Sequence, residues 1–410
     1  MSRRVVVTGI GGITGLGNAW EAIRDRMLAG ETAVQRMAEW DRYEGLNTRL
    51  AAPVEGFDVD KLYPRKKLRT MGRVSRMAVY ASERALRQAG LLGDKLLQSG
   101  RTGVAYGSSF GSTPPVIGFA ALITEGSVRH VTATSYIQMM SHTAAVNIGL
   151  FFGLTGRVYT TSSACTSGSQ GIGYAYEAIK AGAQDLMLAG GAEELCPTMA
   201  AVFDTLYATS VLNDAPGTTP RPFDAARDGL VIGEGAATLV LEEREHALAR
   251  GAAIIAEVVG YGTNSDGSHV TQPNAPTMEI AMRLALADAG LPPEAVGFVC
   301  GHGTATEHGD IAETHATHAV FGSRMPLHSL KGHFGHTLGA CGALETWLAL
   351  NMQREQRFLS TANLTTVDSR CAELDYLIGE PRNLAAEYVM KNNFAFGGIN
   401  TSLLFRAMPA

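Results

Sequence analysis

A short pattern occurs twice in this chain, about half its length apart. Ala85-Leu-Arg-Gln-Ala-Gly-Leu91 precedes Gly103-Val-Ala-Tyr-Gly107, and Ala285-Leu-Ala-Asp-Ala-Gly-Leu291 precedes Gly297-Phe-Val-Cys-Gly301. Each copy reads as a helix closed by Ala-Gly-Leu and followed by a buried strand that ends on glycine. Two copies cannot stack into an array as short repeats do. The physical alternative is a pair of related halves that face each other across a pseudo-twofold. The halves meet near Arg250, which divides the chain into residues 1–250 and 251–410. No low-complexity linker separates them, so they are expected to share one core.

Apolar, β-branched runs at Val5–Val7, Val104–Tyr106, Leu186–Leu188, Thr238–Leu241, Ile254–Val259, Phe298–Cys300 and Tyr388–Met390 alternate with longer helical patterns. That alternation predicts an α/β fold with buried strands. With 46% hydrophobic and 18% charged residues the chain is not disordered. No apolar run reaches the roughly 20 residues of a membrane span. Thirty-four Lys plus Arg against 39 Asp plus Glu leave a net charge of −5, which offers a nucleic acid no general attraction. Cysteines at 165, 196, 300, 341 and 371 form no C-x-x-C and no disulfide framework, as in a reducing compartment. The start, Met1-Ser-Arg-Arg then Val5–Val7, is too briefly apolar for a leader and reads as a strand of a cytoplasmic protein.

Four segments carry chemistry-bearing residues. In Tyr159 to Ile179, Ile172, Ala175, Tyr176 and Ile179 keep helical spacing although Gly168, Gly171 and Gly173 interrupt it. Three helical glycines cost about 3 kcal/mol relative to alanine, so close backbone packing is expected to offset them. Cys165 would stand at the N-terminus of that helix, where the macrodipole favours a thiolate. A small inert core cysteine explains this segment equally well. The second segment, Gly297 to Glu313, is a buried strand breaking into a glycine-bracketed loop, with His302 at a sheet edge where open α/β folds bind ligands. The third, His328 to Glu345, repeats the strand, loop and helix pattern around Lys331 and His336. In the fourth, Tyr388 to Asn400, Gly397 and Gly398 let a backbone N–H approach a substrate. A pseudo-dyad would bring the helix opened by Cys165 against the helix opened by the His336 loop. One Cys with two His and no carboxylate relay departs from a protease triad and suits enolate stabilisation.

From Val5 to Phe405 the chain resembles the elongating β-ketoacyl-[acyl-carrier-protein] synthases of the thiolase superfamily. The residues that carry the resemblance are Ala164-Cys165-Thr166, Arg221-Pro-Phe-Asp-Ala-Ala-Arg-Asp-Gly229, Gly233-Glu-Gly235, His302-Gly-Thr304 with Gly309-Asp310 and Glu313, Lys331 with Gly335-His336 and Gly339-Ala340, and Asn392 to Asn400. The resemblance implies a duplicated five-layer αβαβα fold, a dimer, and an acyltransferase that needs neither cofactor nor metal. It makes Cys165 the acylated nucleophile, with the N–H groups of Cys165 and Phe396 as oxyanion hole. His302 and His336 would bind the malonyl thioester carbonyl, supported by Lys331, Glu313 and Asp310. Phe396, Gly397 and Gly398, with the loop holding Asp266, His269 and Thr271, would gate the acyl chain, and Phe110 would bound its tunnel. The implied partner is an acyl carrier protein, in a homodimer or in a heterodimer with a synthase-like subunit. The cation-rich stretch Lys61 to Arg76, with Arg65, Lys66, Lys67, Arg69 and Arg73, fits docking of an acidic carrier; a solvated helix face is the alternative. Phe334, Ala395 and Ile399 depart from the common family pattern, which leaves fatty-acid elongation and a polyene or polyketide branch both open.

Three rival readings are weaker. Gly107-Ser-Ser109-Phe-Gly111 matches G-x-S-x-G, but Ser112-Thr-Pro-Pro115 delays the helix that a nucleophile elbow needs. Seven histidines crowd residues 302–336, yet no H-E-x-x-H occurs. Gly9-Ile-Gly11-Gly-Ile-Thr-Gly15 lacks the spacing and the following acid of a dinucleotide fingerprint. A non-catalytic, cavity-shaping subunit would not need Cys165, His302 and His336 together.

Overall fold

Three consecutive valines open the strand from which the rest of the sheet can be counted outward. The computed structural model describes residues 3–408; Met1 and Ser2, the start of the segment weighed as a leader, lie outside them. In the first half the elements that position the site are β1 (Val5–Ile13), α1 (Arg73–Gln88), β2 (Thr102–Gly107), α2 (Thr143–Phe152), β3 (Val158–Thr161), α3 (Ser167–Lys180), β4 (Leu186–Glu193) and β5 (Gly235–Glu243). In the second they are β6 (Ala256–Ser265), α4 (Ala275–Ala289), β7 (Val296–Cys300), α5 (Glu307–Phe321), β8 (Pro326–His328), α6 (Cys341–Glu355), β9 (Asp375–Tyr376), β10 (Tyr388–Ala395) and β11 (Ile399–Ala407).

The strand order is β9-β8-β7-β10-β11-β6-β1-β5-β4-β2-β3. Val5, Val6 and Val7 of β1 lie antiparallel to Val258, Glu257 and Ala256 of β6, forming a seam. Outward from it both sides follow one scheme: two antiparallel pairings (β1/β5 and β5/β4; β6/β11 and β11/β10), then two parallel ones (β4/β2 and β2/β3; β10/β7 and β7/β8). The helices repeat as well. A Cβ on Gly9 of β1 would stand 2.2 Å from the carbonyl oxygen of Ala85 in α1, and one on Gly260 of β6 would stand 2.2 Å from that of Ala285 in α4. Missing side chains thus let each helix backbone lie directly on its strand, which accounts for the echoed Ala-Gly-Leu motifs.

Three apolar cores separate the layers. Val74, Leu86, Val104, Ile148 and Val240 pack α1 and α2 on the outer face of the first half. Met282, Val299, Val320, Leu327 and Leu404 do the same for α4 and α5 on the second. Between the half-sheets lie α3 and α6, with Ile172, Ile179, Leu239, Phe298, Trp347 and Phe405 in one shared core. The result is the five-layer αβαβα arrangement. Burying each large apolar side chain contributes about 1.5–3 kcal/mol, and α6, buried from Cys341 to Gln353, collects this on every face. The glycines of α3 are spent on close approach, as expected: a Cβ on Gly171 would stand 2.8 Å from the carbonyl oxygens of both Ala105 and Gly190. Among the described residues no helix is long and apolar enough to cross a membrane.

Candidate active site

Each central helix begins with the same strained turn. Ala164 has φ 49° and leads through Cys165 into α3; Leu338 has φ 47° and leads through Gly339 into α6. A left-handed non-glycine residue costs about 1–3 kcal/mol, so the surrounding contacts must hold it. The Ser163 N–H donates to Ser167 Oγ at 2.9 Å, and that hydroxyl donates to the Ala164 carbonyl at 2.7 Å. The Cys341 thiol, opening α6, donates to the Cys165 carbonyl at 3.2 Å. Cys165 is thereby fixed at the floor of a cavity of about 420 Å³ that His302 and His336 also line.

The hydrogen bonds define the tautomer of both histidines. The Lys331 ammonium and the Asn393 amide each donate to His302 Nδ1 at 3.2 Å, so the ring proton sits on Nε2. The Leu338 N–H donates to His336 Nδ1 at 3.2 Å, and His336 Nε2–H donates to Cys165 Sγ at 3.0 Å. The two rings stand edge to face, 5.1 Å between centroids. Burial, followed by the Lys331 charge, pushes both rings well below the usual histidine range. They are neutral donors at pH 7. Cys165, His302 and His336 offer donor atoms within 4.8 Å of one another, a set that zinc also uses. A metal would need the Nε2 lone pairs, whereas here every Nδ1 already accepts a hydrogen bond and Nε2 carries the proton.

Around His302 the backbone is held by buried charge. Glu313 accepts from the N–H groups of His302 at 2.5 Å and Gly303 at 2.6 Å, and Asp310 accepts from those of Thr304 at 2.9 Å and Ala305 at 3.1 Å. Lys331 Nζ also donates to the His302 carbonyl at 2.6 Å. The direct carboxylate partner of Lys331 is Glu345, at 2.5 Å, with both side chains fully buried. Burial opposes the Lys331 charge, but Glu345 more than restores it and raises the ammonium pKa. His336 is held by the Gly233 segment: its N–H donates to the Val231 carbonyl at 2.7 Å, and its carbonyl accepts from the Gly233 N–H at 2.9 Å.

The expectation that the helix end would favour a Cys165 thiolate is not met in the resting chain. Burial pushes the thiol up to about 11, against which the Lys331 charge and the N–H groups of Phe396 and Cys165 pull only part of the way back. A helix terminus contributes about 0.3–1 kcal/mol, too little to offset desolvation of a sulfur anion.

Phe396 is half-buried against Phe203, with ring centroids 5.1 Å apart, and Gly397 and Gly398 take φ of 88° and 70°. The loop of Asp266, His269 and Thr271 is tied to them: the Gly397 N–H donates to the Val270 carbonyl at 2.9 Å, and the Asp266 N–H donates to the Gly398 carbonyl at 2.7 Å. Both segments line the cavity. Phe110 does not. In the single chain it is 38% exposed, beside Ser108 and Ser109, which point inward to Glu193. Ser109 donates to that carboxylate and, among the described residues, has no histidine partner, which removes the hydrolase reading. His315 and His318 bind the exposed Arg370 and Glu373 carbonyls at 3.0 and 2.8 Å.

Arg65, Lys66, Lys67 and Arg69 are exposed on and beside the short helix Arg65–Leu68. Arg73 is not a free docking cation. It binds both carboxylate oxygens of buried Glu234, at 2.6 and 2.8 Å, and caps the Val54 carbonyl at 2.8 Å. Glu345, Lys391, Asn393 and Glu193 join the site without having been singled out as site residues. The available signal was a lysine and two asparagines inside an otherwise apolar strand, and a glutamate inside the apolar helix α6.

Two family models match: the β-ketoacyl synthase N-terminal domain over residues 2–247 and the C-terminal domain over residues 255–365. The chain is 37% identical over 415 residues to 3-oxoacyl-[acyl-carrier-protein] synthase 2 of Vibrio cholerae, covering 99% of each chain. It superimposes on a β-ketoacyl synthase crystal structure from Burkholderia phymatum with a TM-score of 0.98 at 60% identity, covering 99% of this chain and 100% of that one. It also superimposes on the ishigamide ketosynthase/chain length factor with a TM-score of 0.91 at 29% identity, covering both chains completely. The chain belongs to the β-ketoacyl synthase family and is an acyltransferase of that family.

Proposed function

We propose that this protein lengthens an acyl chain by decarboxylative Claisen condensation with a malonyl group held on an acyl carrier protein. The observation that carries this reading is the pairing of two neutral Nε2–H donors, His302 and His336, beside Cys165, whose sulfur accepts from His336. In the first half-reaction the Cys165 sulfur attacks the carrier-bound acyl thioester. A new S–C bond forms, the carrier's S–C bond breaks, and the thiol proton leaves with the carrier sulfur. The Cys165 and Phe396 N–H groups receive the charge on the carbonyl oxygen. In the second, the malonyl thioester oxygen lies between His302 and His336. Loss of CO₂ leaves an enolate that both rings stabilise by donation, each worth about 2.7–4 kcal/mol by comparison with other oxyanion donors. Its carbon attacks the Cys165 thioester, and the departing thiolate takes one proton from solvent. Lys331, Glu313 and Asp310 hold the His302 loop, while Phe396, Gly397, Gly398, Asp266, His269 and Thr271 form the gates.

Arg65, Lys66, Lys67 and Arg69 are the proposed carrier-docking cations, with residues 1–250 and 251–410 as the two halves and the cytoplasm as the compartment; free cysteines support the last. A homodimer formed along the free edge of β3, where Val158 is exposed, fits the chain. The name of the ishigamide relative supports a heterodimer with a synthase-like subunit as the alternative. Intact mass of the protein after incubation with a panel of acyl carriers, with and without malonyl carrier, tests the reading. The acyl mass should appear on Cys165 and vanish when malonyl carrier is added. A protein that never gains mass from any carrier thioester contradicts it.

A further inference from the structure

Lys391 is a second buried lysine beneath the site, and the reaction above gives it no task. Its side chain is fully buried in β10, and its ammonium lies 2.7 Å from Glu345 Oε2, the other carboxylate oxygen of the residue that holds Lys331. It also donates to the carbonyls of Gly301, at 3.2 Å, and Asn392. Gly301 immediately precedes His302. The strand end is therefore gripped at successive groups: the Gly301 carbonyl by Lys391, the His302 carbonyl by Lys331, and the His302 and Gly303 N–H groups by Glu313. Two lysines and two glutamates make this cluster charge-balanced, as a group removed from water must be. Removing either lysine alone would leave an excess negative charge.

We infer that Lys391 is a positioning residue for His302, acting through Glu345 and the Gly301 carbonyl to hold that ring with its Nε2–H turned into the cavity. Glu345 is shared between the two lysines, 2.5 Å from Lys331 and 2.7 Å from Lys391, so its charge is not spent on Lys331 alone and does not pull that ammonium away from His302 Nδ1. Without Lys391 the carboxylate would turn to Lys331 alone, and the Gly301 carbonyl would lose its buried donor. The inference rests on the reading of His302 as an enolate donor.

The test is Lys391→Met in the full chain, with both half-reactions measured. Malonyl-carrier decarboxylation should fall ten- to hundredfold in kcat with KM within twofold, while the rate of Cys165 acylation stays within twofold. A parallel fall in both half-reactions, or no fall in either, overturns the inference. The double variant Lys391→Met/Glu345→Gln removes one charge of each sign and guards against a single variant that does not fold. Its decarboxylation should stay at least tenfold low; a return to the native rate would reduce Lys391 to charge balance and overturn the proposal. His302→Ala separates the two levels. If it leaves decarboxylation intact, the underlying reading of His302 fails; if it impairs decarboxylation and Lys391→Met does not, only the role of Lys391 fails.

Discussion

The turn that carries Cys165 and the turn that carries Gly339 have nearly the same backbone, with φ of 49° at Ala164 and 47° at Leu338, and differ in the side chain that follows. Cys165 faces the cavity. A Cβ on Gly339 would instead stand 2.6 Å from the Ser109 nitrogen and 2.7 Å from a carboxylate oxygen of Glu193. That carboxylate accepts from Ser108 Oγ at 3.0 Å, the Ser109 N–H at 2.8 Å and the Gly339 N–H at 3.0 Å. The second turn thus fastens the Ser108–Ser109 loop of the first half to the loop that bears His336. Duplication supplies two strained helix starts, of which one presents a nucleophile and the other is a joint.

The largest effect should come from Cys165→Ala, which is expected to abolish acyl transfer; an acyl mass gained by this variant would move the nucleophile elsewhere. Gly339→Ala tests the joint. Its added methyl group meets backbone and a carboxylate that cannot retreat, so a loss of about 1–3 kcal/mol in unfolding free energy is expected, read by denaturant melts. An unchanged melt would mean that the Glu193 contact is slack.

The thiol of the reactive turn should show its burial in its pH dependence. With a pKa of about 11, the thiolate fraction rises roughly tenfold per pH unit below that value, so alkylation of Cys165 by iodoacetamide should keep climbing through pH 9 and 10. A plateau near pH 7 would show that the helix end outweighs desolvation after all. The smallest effect belongs to the surface. Charge reversal of Lys66, Lys67 and Arg69 should raise KM for carrier-bound substrates several-fold, in a salt-dependent way, and leave small thioester mimics unaffected. Equal effects on both substrates would return this stretch to a solvated helix face.

What could be read from residues alone follows the same division. Strand and helix periods, the echo of Ala85 in Ala285, and the glycine loops around Cys165, His302 and His336 are local patterns, and they pointed to a duplicated α/β fold and to the three side chains that the fold brings together. Partnerships across the fold were not legible. Arg73 and Glu234 are 161 positions apart, so a cation run could not disclose that one member is tied to a buried carboxylate. The pairing of Lys331 with Glu345 arises because α6 runs through the centre of the molecule, a fact of layer packing. The Cys165 thiol was misjudged because a dipole can be inferred from position in a helix, whereas desolvation needs the burial.

The central claim is that Cys165 carries the acyl group while the paired Nε2–H donors serve the malonyl half-reaction. Two-stage intact mass of the native protein and of His302→Ala tests it most directly. Both should gain the acyl mass from an acyl carrier. After malonyl carrier is added, the native adduct should disappear with release of CO₂, while the variant adduct persists, its turnover lowered about 10²–10³-fold. Native-like turnover of the His302→Ala adduct, or its failure to form at all, would contradict the account.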